Sequence, residues 1–298
     1  QRVIRRAKTR VLAFLNIVGH GMRGEDLYEQ DLEDMRAEPT AEVALRHPGL
    51  IVGIKTAHYK GPEWAPVERA VEAGKRAGIP VMVDFGQNRP ERPLAVLVTE
   101  KLRPGDIYTH VYSGLRGELG PSGRVNPGLW KGRERGVIFD VGHGAGSFFW
   151  KIAVPATKEG FWPDSISTDL HVRSMNAGMK NMLNVMSKFL ALGMTLDDVV
   201  ARSTWNPARE IGREDLGHLS VGAPADLAVL RLRSGDFGFA DAYGARLDGT
   251  EKLVCELTVH GGKVVYDLNG LSRPAWDTLP SDYEQTGDPR WDGIGREP

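Results

Sequence analysis

An α/β fold of repeated strand–helix units, followed by a smaller β unit, is predicted by three observations. Apolar, β-branched runs recur at residues 11–17, 50–55, 79–85, 106–112, 136–141 and 165–168, at intervals of about 25 to 40 residues, the size of a strand–helix–strand unit. The stretches between them carry apolar residues at helical spacing, as in Trp64, Val67, Ala70 and Val71. After about residue 210 the rhythm changes to alternating and short apolar runs.

Taken in order, each run of four to eight apolar residues reads as a strand buried on both faces, as in a parallel sheet covered by helices. The helix begun at Trp64 ends at Gly78, with Pro80 following. A second spans residues 94–102 and is closed by Pro104-Gly105. The stretch 176–192, with Met179, Met182, Leu183, Val185, Met186, Phe189 and Leu190, predicts the longest helix, its methionines filling core. Thr195 and Asp198 form a capping-box-like start for a helix over 196–202. Repeated parallel units suit a doubly wound sheet or an eightfold barrel. Gly142-His-Gly-Ala-Gly146 follows a strand but lacks the full dinucleotide fingerprint expected of the first. The later runs 227–232 and 253–259 predict strands, and His260-Gly-Gly-Lys263 predicts a hairpin into Val264-Val-Tyr266. The stretch from Ser272, rich in Pro, Gly and Asp and carrying Trp276 and Trp291, predicts an irregular arm on the body or on a neighbouring subunit.

Composition narrows the partners. Lys and Arg number 38 and Asp and Glu 39 among 298 residues, for a net charge of -1, so nothing electrostatic favours nucleic acid or an anionic membrane. A small polar or acidic substrate fits better. The one cysteine, Cys255, excludes an internal disulfide framework and a cysteine zinc cluster. No stretch approaches the length of a membrane span, and a cytoplasmic homo-oligomer is the expected setting. The chain opens at Gln1 in what looks like the end of a helix, so an upstream piece is expected.

The ends of the strands carry the chemistry. Lys55, Asp84, His110, His143 and Asp169 fall at successive carboxyl ends, with His171 two residues on. In an α/β barrel all those ends open on one face. Each has a plainer explanation alone: Lys55 as a lysine whose stem packs and whose ammonium reaches water, Asp84 as a turn residue, His143 as a loop residue, Asp169 as a helix cap. Together they describe a site for metal-assisted hydrolysis, in which His nitrogen and carboxylate oxygen hold zinc and a bound water ionises near neutral pH.

The motifs Val52-Gly-Ile-Lys55, Gly105-Asp-Ile-Tyr-Thr-His110, Phe139-Asp-Val-Gly-His143-Gly, Ser165-Ile-Ser-Thr-Asp169-Leu-His171, Asn206-Pro-Ala-Arg209 and Gly217-His-Leu-Ser-Val-Gly222-Ala-Pro-Ala-Asp226 resemble those of the amidohydrolase superfamily. Within it they are most similar to the dihydroorotase-like deacetylases. The resemblance runs to about Asp267. It implies a (β/α)8 TIM-type barrel with strands three to eight present over residues 1–210, the carboxyl-terminal part of a small β-sandwich over 211–270, and the arm over 271–298. It also implies a small amide or ester substrate and one or two divalent metal ions, zinc foremost, bound by carboxylated Lys55, Asp84, His110 and Asp169. Asp169 would shuttle the proton, His171 and Arg116 would contact substrate, and His143 would either contact substrate or support the metal ligands from behind. Two departures stand out: Asp84 occupies a position where the family has histidine, and the family's first-strand His-x-His pair is absent from the sequence. A six-stranded remnant leaves sheet edges unpaired, so these residues alone are expected to fold poorly. Competing expectations are a non-catalytic scaffold with this fold and a Schiff-base enzyme using Lys55.

Overall fold

The computed structural model describes residues 4–22, 27–86 and 88–279. Five parallel strands, β1 (Ala13–Asn16), β2 (Ile51–Thr56), β3 (Val81–Val83), β4 (Ile107–Tyr108) and β5 (Ile138–Phe139), form one sheet in the order β1-β2-β3-β4-β5. Each new strand adds on the same side of its predecessor. With right-handed crossovers, that order puts every connecting helix on one face and leaves the other to form an interior, as in a barrel wall. A doubly wound sheet would reverse its order at a switch point. The described sheet is not closed: β1 stands at one edge, and β5 is extended at the other by a single bridge from Asp140 to Ser165.

The segment 165–168 is therefore a correction to the sequence reading, since it is not a full strand. Its backbone still follows β5: Val141 N–H donates to Ser165 O (3.2 Å) and Gly144 N–H to Thr168 O (2.9 Å). The side chains explain the location. Ser165 and Ser167 turn inward to donate to the two oxygens of buried Asp140 at 2.9 and 2.7 Å, and Thr109 adds a third bond at 2.6 Å. Hydroxyls and a carboxylate occupy interior places that apolar side chains would otherwise fill.

The outer helices are α1 (Ala37–Arg46), α2 (Ala65–Ala77), α3 (Leu94–Val96), α4 (Pro127–Glu134), α5 (Trp150–Lys158), α6 (Val172–Met175), α7 (Met182–Ala191), α8 (Leu196–Ala201) and α9 (Trp205–Glu210). Helix α2 buries Val67, Ala70 and Ala73 and ends where Gly78 adopts φ 67°, a left-handed cap that releases the chain into β3. After α3 the chain widens into a π turn over Leu97–Lys101. The stretch 176–192 is shorter as a helix than its apolar content predicts, because Asn181 caps α7 by accepting from Asn184 N–H at 2.9 Å. Thr195 caps α8 as the spacing predicts, accepting from Asp198 N–H at 3.2 Å.

The second unit is a three-stranded antiparallel sheet in the order β6 (Leu227–Ala240), β7 (Arg246–His260), β8 (Lys263–Asp267). Its strands run longer than their apolar cores suggest, since the register between β6 and β7 continues through charged positions such as Arg233 opposite Lys252. The predicted hairpin at His260–Lys263 joins β7 to β8. Of the arm, Trp276 begins a short 3-10 turn and is exposed; Trp291 lies outside the described residues.

Main-chain contacts lock the turn between β6 and β7 onto the parallel unit. Trp150 Nε1 donates to Phe239 O (2.9 Å), and Ala242 N–H donates to Phe148 O (3.0 Å). Gly178 lies so near this turn that an added Cβ would stand 2.1 Å from Asp241 O and 2.8 Å from Ala240 O. Neither backbone atom can yield. Gly178→Ala should therefore cost about 1–3 kcal/mol, the usual penalty of overpacking, and lower the urea midpoint; an unchanged midpoint would show that the turn is not held there.

Candidate active site

The carboxyl ends of the strands open into a cavity of about 480 Å³ lined by Glu29, His58, Lys60, Asp84, His110, Leu115, Arg116, Asp169, His171 and Tyr243, among others. Five residues singled out in the sequence thus share one cavity: Asp84, His110, Arg116, Asp169 and His171. A larger apolar groove of about 900 Å³ lies elsewhere, between β6 and α8, and includes none of them.

Asp84 is the centre of the site. It leaves β3 buried, and both its oxygens are engaged. Oδ1 accepts from Arg116 Nη2 and from Gly86 N–H at 3.1 Å. Oδ2 faces His58 Nε2 at 3.2 Å and His110 Nε2 at 3.4 Å. Burial raises the Asp84 carboxyl pKa, but His110 and Arg116 more than offset it and hold the group well below the usual carboxylate range. Arg116 is itself buried and gives its Nε–H to Gly86 O at 2.6 Å. Its guanidinium orients Asp84 through Nη2 and also lines the cavity, where its buried Nη1 has no hydrogen-bond partner among the described residues.

Both imidazoles are tied at the far nitrogen. His110 Nδ1 lies 2.5 Å from Gly142 O, and His58 Nδ1 lies 2.6 Å from Glu29 Oε2. A carbonyl only accepts, so His110 carries a hydrogen on Nδ1; its Nε2 meets Asp84 as a donor when the ring is an imidazolium and as a lone pair when it is neutral. The Glu29 carboxylate sets the same tautomer on His58. A neutral imidazole would bring a lone pair against the carboxylate oxygen, an approach that either a proton on Nε2 or a metal cation between the two atoms relieves. Ligand atoms at about 2.0–2.1 Å from a tetrahedral zinc stand about 3.3 Å apart, close to both separations found here.

The donors thus fit a divalent cation in chemistry and in spacing along each His–Asp84 edge. Among the described residues, no group of three or more His, Cys, Asp or Glu is placed to hold a metal ion, so the fit is to the His–Asp84 pairs and not to a complete ligand set. Lys55 bears on this, because an ammonium brings a cation's charge, whereas a carboxylated lysine would bring an anionic oxygen ligand. Lys55 does not line the cavity; burial lowers its pKa, opposed by the nearby charges of Asp84, Asp169 and Asp140.

Backbone strain gathers here. The four non-glycine residues with positive φ among those described are His58 (58°), His110 (68°), Asp169 (48°) and Lys180 (63°), and three of them line the cavity. Glycines make room for them. A Cβ on Gly142 would meet His110 Nδ1 at 2.6 Å, and one on Gly144 would meet Asp169 Oδ2 at 2.5 Å.

His143 stands apart from the others. It is fully buried, stacks on Phe148 (ring centroids 4.6 Å apart) and accepts from Lys188 Nζ at 2.6 Å. It does not line the cavity, so the structure places it behind the site. His171 stays at the rim as the residue before α6. Sequence reasoning missed His58 and Glu29, whose loops give no periodic signal, and Tyr243, which the β6–β7 turn brings over the cavity, stacked on Phe149 at 4.2 Å. It missed Lys188 inside an apolar helix. The one available signal was Gly-His-Gly at residues 142–144, where two small residues after a strand mark a close approach.

The fold and site describe a parallel α/β protein with acids, imidazoles and a lysine at its strand ends, and comparisons with known proteins agree. The pattern of the amidohydrolase family matches residues 152–265. A deacetylase of Brucella anthropi is 34% identical over 256 residues, covering 81% of this chain and 61% of that protein. A deacetylase of Agrobacterium fabrum is 33% identical over 256 residues, covering 81% and 60%. The chain therefore spans about three-fifths of the length of these two relatives. A crystal structure of an adenine deaminase superposes with a TM-score of 0.84 at 27% identity, over 90% of this chain and 73% of that one. A dihydroorotase gives 0.75 at 29%, over 89% and 74%. The chain belongs to the amidohydrolase superfamily.

The buried lysine behind the site makes stability depend on pH. Burial, partly opposed by Asp241, lowers Lys188 from 10.5 to about 7. Between those values the unfolded chain holds a proton that the folded chain has released, so stability from this source rises with pH across that window and is flat below it. Urea unfolding of wild type and Lys188→Met at pH about 7 and about 10 should show wild type gaining on the variant at the higher pH; a constant difference would contradict the shift.

Proposed function

We propose that the protein is a metal-dependent hydrolase that cleaves a small amide or ester, with a deacetylase reaction foremost. The observation that carries this reading is the approach of two Nδ1-tied imidazoles, His58 and His110, to one oxygen of Asp84. The relatives named deacetylase and the structural likeness to a deaminase and a dihydroorotase support hydrolysis at a C–N or ester bond.

His110, Asp84 and His58 would hold a divalent ion, zinc foremost, with Lys55 in carboxylated form and Asp169 joining them. Such an ion supplies Lewis acidity and a bound water that ionises near neutral pH. Asp169 lies in the same cavity, where it would take the proton from attacking water and return it to the leaving nitrogen or oxygen. Arg116 and Glu29 would hold Asp84 and His58 in place. Lys60, His171 and Tyr243 line the remaining cavity wall and would meet the rest of the substrate. Carbon dioxide adds to an amine and not to an ammonium, and the burial that lowers the Lys55 pKa acts in that direction.

A second reading, a non-catalytic member of the superfamily, draws on the engagement of Asp84 by Arg116, which weakens it as a ligand. One experiment decides between them. The purified protein is assayed on N-acetylated amino acids, acetylated hydroxy acids and cyclic imides, before and after chelation. Turnover lost on chelation and restored by zinc, with kcat lowered at least about 100-fold in Asp169→Asn while the ion is retained, supports the enzyme. Turnover that survives chelation, or a normal Asp169→Asn, would refute the mechanism; a metal-free, inactive wild type would favour the scaffold.

A further inference from the structure

We infer that Lys188 is a positioning residue for Asp169, acting through His143 and Gly144. This rests on the proposed role of Asp169 and extends it to a residue on the far side of the site.

Lys188 lies on α7 with no exposed surface, among Phe148, Trp150 and His143. A lysine so placed must give its hydrogens to acceptors, and it has two: Gly178 O at 2.8 Å and His143 Nε2 at 2.6 Å. Since Nε2 accepts, the ring hydrogen sits on Nδ1, which faces Gly144 O at 2.9 Å. The imidazole is also stacked on Phe148, at an interplanar angle of 12°. One amine thus fixes the tautomer, and the aromatic stack fixes the plane.

The next link is Gly144. Its φ of 54° and its N–H bond to Thr168 O at 2.9 Å hold it beside the segment that carries Asp169. It lies directly beneath Asp169 Oδ2, which would stand 2.5 Å from any Cβ placed there. The Asp169 backbone is bent to φ 48°, and its carbonyl accepts from Ser174 Oγ at 2.9 Å. The carboxylate is therefore set between a glycine held from behind and a strained turn held from the side. Lys188 and His143 supply the hold from behind. They reach neither substrate nor ion, because neither residue lines the cavity.

Ring NMR and a set of variants test the assignment. In wild type, nitrogen NMR of the His143 ring should show the Nδ1–H tautomer alone; a mixture of tautomers would overturn the proposal without any substitution. In Lys188→Met, kcat should fall about 10- to 100-fold with KM changed less than about threefold, the usual scale for groups that orient a reacting carboxylate from outside. A purely structural role would instead lower the melting temperature and leave kcat per folded molecule unchanged, which would overturn it. If Lys188→Met does not fold, His143→Gln serves in its place: a fall in kcat at steady KM supports the relay, and a wild-type kcat overturns it. Where both variants fold, their combination should be no worse than the weaker single variant, and additive losses would mean that the two act separately. Asp169→Asn in the same assay separates the two levels. If it loses turnover while Lys188→Met and His143→Gln keep theirs, the relay is wrong and the role of Asp169 stands; if it turns over normally, that role fails first.

Discussion

A buried carboxylate sets the terms for the mouth of this sheet. Asp84 leaves β3 largely withdrawn from water, at the wall of the cavity, and a bare carboxylate there would cost several kcal/mol. Its partners come from two connections: His58 from the loop after β2, and His110 and Arg116 from the long loop after β4. Each partner is anchored in turn, His58 on Glu29, His110 on Gly142 O, and Arg116 on Gly86 O. The loops therefore hold their shapes largely because one negative charge must be answered. A change at any partner would leave charge exposed to low dielectric, which makes the network stiff and cooperative.

That stiffness is built into the backbone as well. His58, His110 and Asp169 accept left-handed conformations that side chains with a Cβ normally avoid. In return, the side chains turn from the line of the strand into the cavity. Gly142 and Gly144 give up their side chains so that His110 and Asp169 can lie against the main chain. Strain in one residue and an empty place in its neighbour are two halves of the same arrangement, and both appear where the strands end.

This division explains which features were legible in the sequence. The five strands and the second sheet follow from apolar runs and their spacing, because burial dictates residue type along a strand. The positions of Asp84, His110 and Asp169 follow from the strands, since the residue after a buried run has few places to go. Segment 165–168 misled because Ser165 and Ser167 serve Asp140 and leave only a bridge where a strand was expected. Arg116 was found as a residue but not as a partner for Asp84, since pairing across 32 positions leaves no local trace. His58 sits in an irregular loop, and Lys188 is hidden among methionines and leucines of α7 whose pattern signals core. A buried lysine is invisible to periodicity because it occupies the place of an apolar residue and is satisfied only by groups from elsewhere.

Charge accounting ties these parts to the proposed chemistry. Glu29, Asp84 and Asp169 bring three carboxylates to one cavity, while Arg116 gives one fixed positive charge and Lys60 another at the rim. As an ammonium, Lys55 would help to balance that excess, yet burial disfavours its charge. As a carboxylated lysine it would add a further negative charge, which a medium of low dielectric tolerates only beside a cation. Carboxylation and metal binding are therefore linked in the proposed enzyme: each makes the other less costly. The replacement of an imidazole by the Asp84 carboxylate raises the negative charge once more, and Arg116, buried on its outer oxygen, returns the balance without occupying the oxygen that faces His58 and His110.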